Sequence, residues 1–375
     1  MILIAACVVA WRHLGDRIEQ DSTKAAAVSN NSCSEGDATV SMIADPGVAP
    51  ALQEVAKVYN ATKPVVRDHC VQINVRPGDA HATLDGLIAK TWDPATNGDL
   101  PSAWIPESSI WAGALQETRP DTIAGAPESL VQSPVVIAVR NEMAVAAGGR
   151  VQWVQLSALT MPDSFQSFGH TDITGSARMA VPNGPQSDAS SLAAQGYVYN
   201  TVNDKKPVSA KDISQPDILK GLQAIMKNAP STSDGSAESA IEAIQKAPNM
   251  SSADIRSVPI SEQRLFLATK SDQRVRISIV RPRGATPMLD YPVIRLTAGV
   301  DPYASDAVAE FIKFAKTPEQ AKIFTKIGFR TGNGSLPSPT ATVEFPEIYK
   351  VMPTADSDGA VAINRVIMPA AVPPE

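Results

Sequence analysis

Five short polar segments of the chain carry the residues whose types suit ligand binding, and each stands between a predicted strand and a predicted helix. They combine carboxylates and hydroxyls with the unbonded N–H groups that a helix start presents. Open α/β sheets bind their ligands at such junctions, beyond the carboxyl ends of the strands. For any one junction, ordinary helix capping is the competing interpretation, because Ser, Asp and Gly also suit helix starts. The five segments are residues 45–47, 76–79, 106–109, 182–188 and 259–263.

Together, the five junctions favour a shared cleft over five independent caps, and we expect their side chains to converge on one small solute. Two carboxylates, Asp45 and Glu107, would repel an inorganic oxyanion by about 1 kcal/mol per charge pair at contact distance in water. The expected ligand is therefore a small polar solute, neutral or amine-bearing, held by mixed hydrogen bonds, and the alternatives are a cell-envelope fragment or no ligand at all. The candidate ligand-binding residues are Asp45, Gly47, Asp79, Glu107, Ser108, Ser187, Ser261 and Glu262.

Catalytic and metal-binding signatures are missing from the sequence. The four histidines, at positions 13, 69, 81 and 170, form no HExxH motif, and the three cysteines form no CxxC pair. No serine precedes a lysine by three positions, and neither a GxSxG nucleophile elbow nor a Walker A loop occurs. The sequence therefore predicts no metal, no cofactor and no enzymatic activity.

The elements that must position these junctions alternate near the start of the chain. Strand-like runs at residues 39–43 and 71–75 flank a segment with apolar residues at helical spacing, and a third strand candidate spans residues 102–106. This order predicts βαβ units in a mostly parallel sheet. Further along, residues 133–139 form the longest β-branched apolar run, which suits a buried strand.

Two cysteines precede the first two predicted strands in the same way. Cys33 lies just upstream of residues 39–43, and Cys70 just upstream of residues 71–75. If these strands are parallel neighbours, both cysteines start at one edge of the sheet, where a disulfide reaches across. We expect this disulfide and an oxidising compartment, and the alternative is a pair of buried free thiols.

Length, composition and charge bound the class of protein. The 375 residues exceed the roughly 100 to 200 of one compact domain, so two folding units or one large unit are expected. Hydrophobic residues make up 43% and charged residues 19%, which indicates a soluble globular body. A net charge of -6 and a pI near 5.4 argue against nucleic acid as a partner.

The first eleven residues form an apolar run that indicates targeting or anchoring. The run is shorter than the roughly 17 to 25 residues that span a bilayer, and no Lys or Arg precedes it as in a complete signal peptide. We expect residues 1–31 to be a signal or membrane-anchor remnant with a linker. Lipidation at Cys7, which ends the box Ile4-Ala5-Ala6-Cys7, and a buried N-terminal strand are the alternatives.

An ordered set of weak motifs gives the sequence a family resemblance. Each motif alone is common, but their order and spacing over about residues 33–345 resemble the bacterial extracellular solute-binding proteins. Within that family the chain is most similar to the type II periplasmic-binding-protein fold near the molybdate-binding branch. An actinobacterial subgroup is especially similar, in which a membrane segment precedes the binding domain and a von Willebrand factor A domain often follows. The motifs are residues 43–46, 133–139, 181–183, 261–263, 291–293 and 328–330.

The resemblance implies a fold and a function. The fold would be α/β and two-lobed, with mostly parallel sheets and a hinge of crossover strands. Its first lobe would be discontinuous, from residues 32–132 and 289–350, its second lobe would span residues 133–288, and residues 351–375 would form a C-terminal tail or linker. The implied function is noncatalytic binding of a small polar solute between the lobes, and the alternative is a cell-envelope protein-interaction module without a small-molecule ligand.

The implied setting is the outer face of a bacterial cell membrane. The resemblance implies a monomer that is anchored through its N-terminus or secreted. An ABC transporter or a von Willebrand factor A domain is an expected partner.

Overall fold

We describe a computed structural model of the protein, which covers residues 33–89, 91–167, 175–271 and 276–368. The expectations for residues 1–31, with lipidation at Cys7, fall outside the described residues. In the part of the chain that is described, no helix is long and apolar enough to cross a membrane.

Eleven strands and fifteen α-helices make up the described structure, together with two short 3-10 helices. The strands are β1 Asp37–Ala44, β2 Val65–Val66, β3 His69–Pro77, β4 Ala103–Ile105, β5 Glu128–Ser129, β6 Val131–Arg140, β7 Ser257–Ser261, β8 Ile277–Val280, β9 Met288–Leu289, β10 Pro292–Arg295 and β11 Arg330–Thr331.

The helices fall between and after these strands. They are α1 Ala49–Ala61, α2 Ala80–Ile88, α3 Pro94–Asn97, α4 Ser109–Thr118, α5 Asn141–Ala147, α6 Leu156–Thr160, α7 Ser164–Ser167, α8 Asp188–Val202, α9 Ala210–Ile213, α10 Pro216–Lys227, α11 Ala237–Lys246, α12 Glu262–Thr269, α13 Pro302–Ala315, α14 Pro318–Lys326 and α15 Ser357–Ile367.

The first sheet has the strand order β2-β3-β1-β4-β10-β5. Its centre is the predicted βαβ unit, since β1 pairs in parallel with β3 and with β4. Helix α1 packs its apolar stripe, which includes the fully buried Leu52 and Val55, against this sheet. Because parallel strands end at the same edge, the junctions after β1, β3 and β4 lie side by side.

The second sheet is organised around β6, which contains the apolar run at residues 133–139. Strands β7, β8, β9 and β11 all pair with β6 in the antiparallel sense. The expectation of mostly parallel sheets is therefore wrong for the described strands of this sheet. The physical reason is the direction of the strands. Strand β6 runs away from the first sheet, and its described partners run in the opposite sense.

The chain crosses between the sheets three times. It leaves the first sheet after β5 and enters the second at β6, returns between β9 and β10, and enters the second sheet again at β11, which pairs with the start of β6. The backbone N–H of Leu130 donates to the carbonyl of Tyr291 at 3.1 Å, which joins the first two crossings. These crossings provide the predicted hinge of crossover strands, while the exact lobe boundaries remain a prediction.

The disulfide between Cys33 and Cys70 is confirmed. Residue Asp37 of β1 stands opposite Cys70 of β3 in the parallel register, so the segment before β1 lies beside the start of β3. The Cα atoms of the two cysteines are 5.2 Å apart. Linking residues 37 positions apart restricts the unfolded chain, which stabilises the fold by about 2 to 4 kcal/mol.

Residues 351–375 do not form the predicted tail in their described part, because α15 packs into the body. Ile363 and Ile367 are fully buried, and Asn364 Oδ1 accepts a hydrogen bond from Ser191 Oγ of α8 at 2.7 Å. The same helix contacts α4, which follows the first sheet. The apolar positions at 360, 363 and 367 have helical spacing, but the prolines on both sides favoured the linker interpretation.

Candidate ligand-binding site between the lobes

The end of β1 places Asp45 against the second lobe. The side chain is 4% exposed, and its Oδ1 accepts hydrogen bonds from Gly47 N at 2.8 Å and from Gln186 Nε2 at 3.2 Å. Gln186 belongs to the loop before α8, so this contact joins the two lobes. A Cβ atom at Gly47 would lie 2.9 Å from Asp45 Oδ1, so a larger residue there would displace this carboxylate.

The end of β4 meets the start of α8 in a second contact between the lobes. Ser108 Oγ donates to Asp188 Oδ2 at 2.7 Å, and Trp111 Nε1 donates to the same oxygen at 2.8 Å. In return, the backbone N–H of Asp188 donates to Glu107 Oε2 at 3.2 Å. We call Asp45, Glu107, Ser108, Gln186 and Asp188 the interlobe cluster.

Burial raises the pKa of all three carboxyl groups in the interlobe cluster. Loss of solvent raises the pKa of Asp45 to about 6, although hydrogen bonds from Gly47 and Gln186 oppose the change. Burial also raises the pKa of Asp188 to about 7, against the hydrogen bonds from Ser108 and Trp111. The pKa of Glu107 is raised well above its ordinary value by burial and by the charges of Asp188 and Asp45.

One guanidinium group lies close enough to act on these carboxylates. The charge of Arg264 opposes the rise in the pKa of both Asp45 and Glu107. This side chain already forms an ion pair with Glu238 and donates to the carbonyl oxygen of Gln186. The surroundings of the interlobe cluster therefore compensate the ionised forms of its three carboxyl groups only in part.

Four buried polar atoms around the interlobe cluster have no hydrogen-bond partner among the described residues. They belong to the side chains of Glu107 (Oε1), Ser187 (Oγ), Gln263 (Oε1) and Tyr291 (OH). Most buried polar groups in native proteins are bonded, so such groups indicate a missing partner, such as a ligand or water. Two acceptor oxygens and two hydroxyls together suit a solute that donates several hydrogen bonds.

The backbone is strained at two positions that touch this site. Gln186 has a φ of 57° and Tyr291 a φ of 41°, values that residues other than glycine rarely adopt. The N–H of Tyr291 donates to the carbonyl of Glu107 at 3.2 Å, which fixes the hinge crossing against the interlobe cluster. Residues in such conformations concentrate at ligand clamps and switch regions.

Three candidate residues have structural partners instead, and two of them are helix caps. Asp79 caps α2, with Oδ1 accepting from Ala82 N at 2.9 Å, and lines a separate cavity of about 270 Å³. Ser261 caps α12, with Oγ accepting from Arg264 N at 3.1 Å. Capping is the alternative that each junction left open.

Glu262, the third, forms a separate buried ion-pair group. Its carboxylate lies 2.6 Å from Arg281 Nη2 and 2.8 Å from Arg330 Nε, and its side chain is 0% exposed. We call these three residues the Glu262 triad. The structure therefore does not bring Glu262 together with the interlobe cluster. Its carboxylate binds two arginines instead.

Sequence reasoning missed several members of the site. Asp188 follows Ser187 inside a junction that the sequence singled out, and its position one residue later was the available signal. Tyr291 begins the motif at residues 291–293, where its φ was not foreseeable. No local pattern pointed to Trp111, which reaches Asp188 across 77 positions.

The chain matches known proteins along most of its length. It is 30% identical over 360 residues to the uncharacterized protein Rv1836c of Mycobacterium tuberculosis strain H37Rv, and equally to its counterpart in strain CDC 1551. These matches cover 95% of this chain and 51% of each relative, so the chain spans about half the length of the curated relatives it matches.

Solved periplasmic binding proteins share the fold at low identity. Iron-bound HitA from Pseudomonas aeruginosa has a TM-score of 0.59 at 12% identity, covering 88% of this chain and 99% of its own. The ferric binding protein of Campylobacter jejuni has a TM-score of 0.55 at 12% identity, with the same coverage. AfuA from Actinobacillus pleuropneumoniae, solved with fructose-6-phosphate, has a TM-score of 0.52 at 12% identity, covering 89% and 97%.

A family model assigns the chain directly. Residues 40–330 match the model described as "Bacterial extracellular solute-binding protein", and they include nearly all of both sheets and all of the interlobe cluster. A family with this description works outside the cytoplasm. The chain belongs to the bacterial extracellular solute-binding proteins and has their two-lobed α/β fold.

Proposed function

We propose that the interlobe cluster binds a small polar solute with a cationic or hydrogen-bond-donating group, without catalysing a reaction on it. The observation that carries this proposal is the set of four unpartnered buried polar atoms beside three buried carboxylates. A cationic group would neutralise charge that the nearby Arg264 leaves uncompensated. An anionic solute would instead add a like charge to a desolvated site, which is unfavourable.

Solute entry requires the two lobes to separate, because direct hydrogen bonds now link them. The bonds are Gln186 to Asp45 and Ser108 to Asp188, and each joins a residue of the first lobe to one of the second. Opening by rotation about the two crossings near Leu130 and Tyr291 would break these bonds. Hinge closure around a ligand is an established mode of change in two-lobed proteins.

The test is calorimetric titration with probes that differ in charge: putrescine, arginine, glucose and molybdate. We expect a cationic probe to bind and to stabilise the fold by about 2.7 kcal/mol at 100 times its dissociation constant. Its affinity should rise from pH 5 to pH 8, because Asp45 and Asp188, with pKa values of about 6 and 7, lose their protons in that range.

Variants then locate the site. Glu107→Gln and Asp45→Asn should weaken the cationic probe at least tenfold while the fold is retained. Glu128→Gln is the matched control, because it removes an exposed carboxylate of the first lobe whose side chain is 80% exposed. Preferential binding of molybdate, or equal affinity in all three variants, would contradict the proposal.

A protein-interaction module without a solute is the second candidate. It is favoured by the direct contacts of Asp188 with Ser108 and Trp111, which occupy the groups that a ligand would need. Small-angle scattering separates the two candidates. If no probe changes the radius of gyration, and the four probes give no heat of binding, the interaction module is the better description.

We also propose a setting for the protein, at the outer face of the cell membrane. The Cys33–Cys70 disulfide supports an oxidising compartment. An N-terminal anchor, a monomeric state, and work with an ABC transporter or a von Willebrand factor A domain extend this proposal. Membrane fractionation of cells that produce the tagged full chain tests the anchor, and recovery in the soluble culture fraction would contradict it.

A further inference from the structure

A cavity of about 400 Å³ lies in the second lobe, and none of its lining residues belongs to the interlobe cluster. Protein interiors rarely leave voids much larger than a water molecule, whereas small-molecule sites occupy about 300 to 1,000 Å³. Its walls come from β6, from α5 and α6, and from the segments on either side of these helices. The lining includes Ile137, Ala146, Arg150, Leu156, Phe165 and Arg283.

The floor of this cavity is apolar. Ile137, Leu156 and Phe165 are each buried to 4% exposure or less, and Val139 and Met179 extend the same surface. An apolar cavity of this kind stays dry and favours hydrocarbon over water. The floor therefore suits an alkyl chain and offers little to a sugar or an amino acid.

The mouth of the cavity carries two exposed arginines, Arg150 and Arg283. Two backbone hydrogen bonds hold their segments together: Arg283 N donates to Val151 O at 2.8 Å, and Trp153 N donates to Arg283 O at 3.3 Å. No described residue that lines the cavity is an Asp or a Glu, and neither arginine forms an ion pair with a described carboxylate. Among the described residues, the mouth thus presents positive charge without an internal counterion.

We propose that the second lobe binds a soluble single-chain amphiphile with an anionic head group, such as a medium-chain fatty acid. The alkyl chain occupies the apolar cavity, and the carboxylate binds Arg150 and Arg283 at its mouth. Bidentate pairing of guanidinium with carboxylate provides the orientation. This site is separate from the interlobe cluster, so it does not depend on the solute proposed there.

The first test is calorimetric titration with hexanoate, octanoate, decanoate and dodecanoate below their micelle concentrations. Each added methylene should tighten binding about fourfold until the cavity is full, after which affinity should level off. Decanol and decyltrimethylammonium should bind more weakly than decanoate. Saturable binding of decanoate is expected, and its absence would overturn the proposal.

A second arm separates the two sources of such a chain. Vesicles of anionic phosphatidylglycerol present the same chemistry in a membrane, and flotation with these vesicles measures attachment. We expect free decanoate to bind and the vesicles not to recruit the protein. Vesicle binding without decanoate binding would contradict the proposed soluble ligand.

Variants of the mouth and of the cavity complete the test. Replacing both arginines, Arg150→Gln with Arg283→Gln, should weaken decanoate by about tenfold or more and leave decanol unchanged. The matched control is Lys220→Gln, which removes an exposed positive charge of α10 outside the cavity. Ala146→Phe, at a partly exposed position of α5, should fill the cavity and weaken both ligands. Equal decanoate affinity in all variants would overturn the proposal.

Discussion

The interlobe cluster and the Glu262 triad both bury carboxylates at strand-to-helix junctions, yet they differ in how that charge is compensated. Glu262 begins α12 and binds two arginines at 2.6 and 2.8 Å. Asp188 begins α8 and accepts hydrogen bonds from two neutral groups, Ser108 Oγ and Trp111 Nε1. These bonds do not offset the loss of solvent, and burial raises the pKa of Asp188 to about 7. Burial alone therefore does not distinguish the two regions, whereas the degree of charge compensation does.

The difference has a consequence for stability. A buried ion pair that is complete loses much when one partner is removed, because the other charge is left without compensation. A buried carboxylate that lacks a partner already costs stability, so its removal is neutral or stabilising. We expect the Glu262 triad to hold the fold together and the interlobe cluster to keep binding capacity at the expense of stability.

The largest effect is expected from breaking the Glu262 triad. Glu262→Ala leaves Arg330, whose side chain is 8% exposed, without a counterion and should lower the free energy of unfolding by about 3 to 5 kcal/mol. Urea denaturation measures the change. Glu128→Ala serves as the control, since it breaks an exposed pair with Lys316 and should lose about 1 kcal/mol or less. Equal losses in the two variants would remove the contrast between the regions.

A smaller effect is expected from the pH dependence of the interlobe cluster. Asp188 has an ordinary pKa of 3.8 and a folded pKa of about 7, so between these values the folded state binds more protons than the unfolded state. The free energy of unfolding then falls as the pH rises from about 4 to about 7.

Asp188→Asn should remove part of that decline, roughly 2 to 3 kcal/mol between pH 4.5 and pH 8, because a difference of one in pKa corresponds to about 1.4 kcal/mol. Urea midpoints at the two pH values give the comparison. Asp254→Asn alters a carboxylate of the second lobe that is 97% exposed, and should leave the decline unchanged. An unaltered decline in Asp188→Asn would show that Asp188 is not the group responsible.

The smallest effect distinguishes two serines at helix starts. Ser261 Oγ caps α12, so Ser261→Ala should lose about 1 kcal/mol of unfolding free energy. Ser187 precedes α8 as its N-cap residue, and its Oγ has no hydrogen-bond partner among the described residues. Ser187→Ala should therefore change the free energy of unfolding by less than about 0.5 kcal/mol. The same Ser187→Ala variant should weaken the cationic probe. A full 1 kcal/mol loss in Ser187→Ala would show that this hydroxyl has a structural role.

Local sequence patterns predicted the first elements of the fold and their order. Alternating and helical apolar patterns predicted the βαβ unit of β1, α1 and β3, and the matching positions of Cys33 and Cys70 predicted the disulfide that the parallel register confirms. The apolar patterns depend on residues a few positions apart, and the cysteine positions depend on where the strands begin. Both can be read along the sequence. The ordered junctions also indicated the family, because their residue types and spacing can be recognised along the chain.

The pairing of junction residues across the molecule depends on the tertiary structure. Glu107 and Glu262 are alike as sequence signals, but Glu262 meets Arg330 at a separation of 68 positions, while Glu107 meets Asp188 at a separation of 81. Helix α15 likewise depended on its neighbours, since its apolar face is buried against α4 and α8. Such pairings depend on strand register and on how the lobes pack, because side-chain partners across long separations leave no local pattern in the sequence.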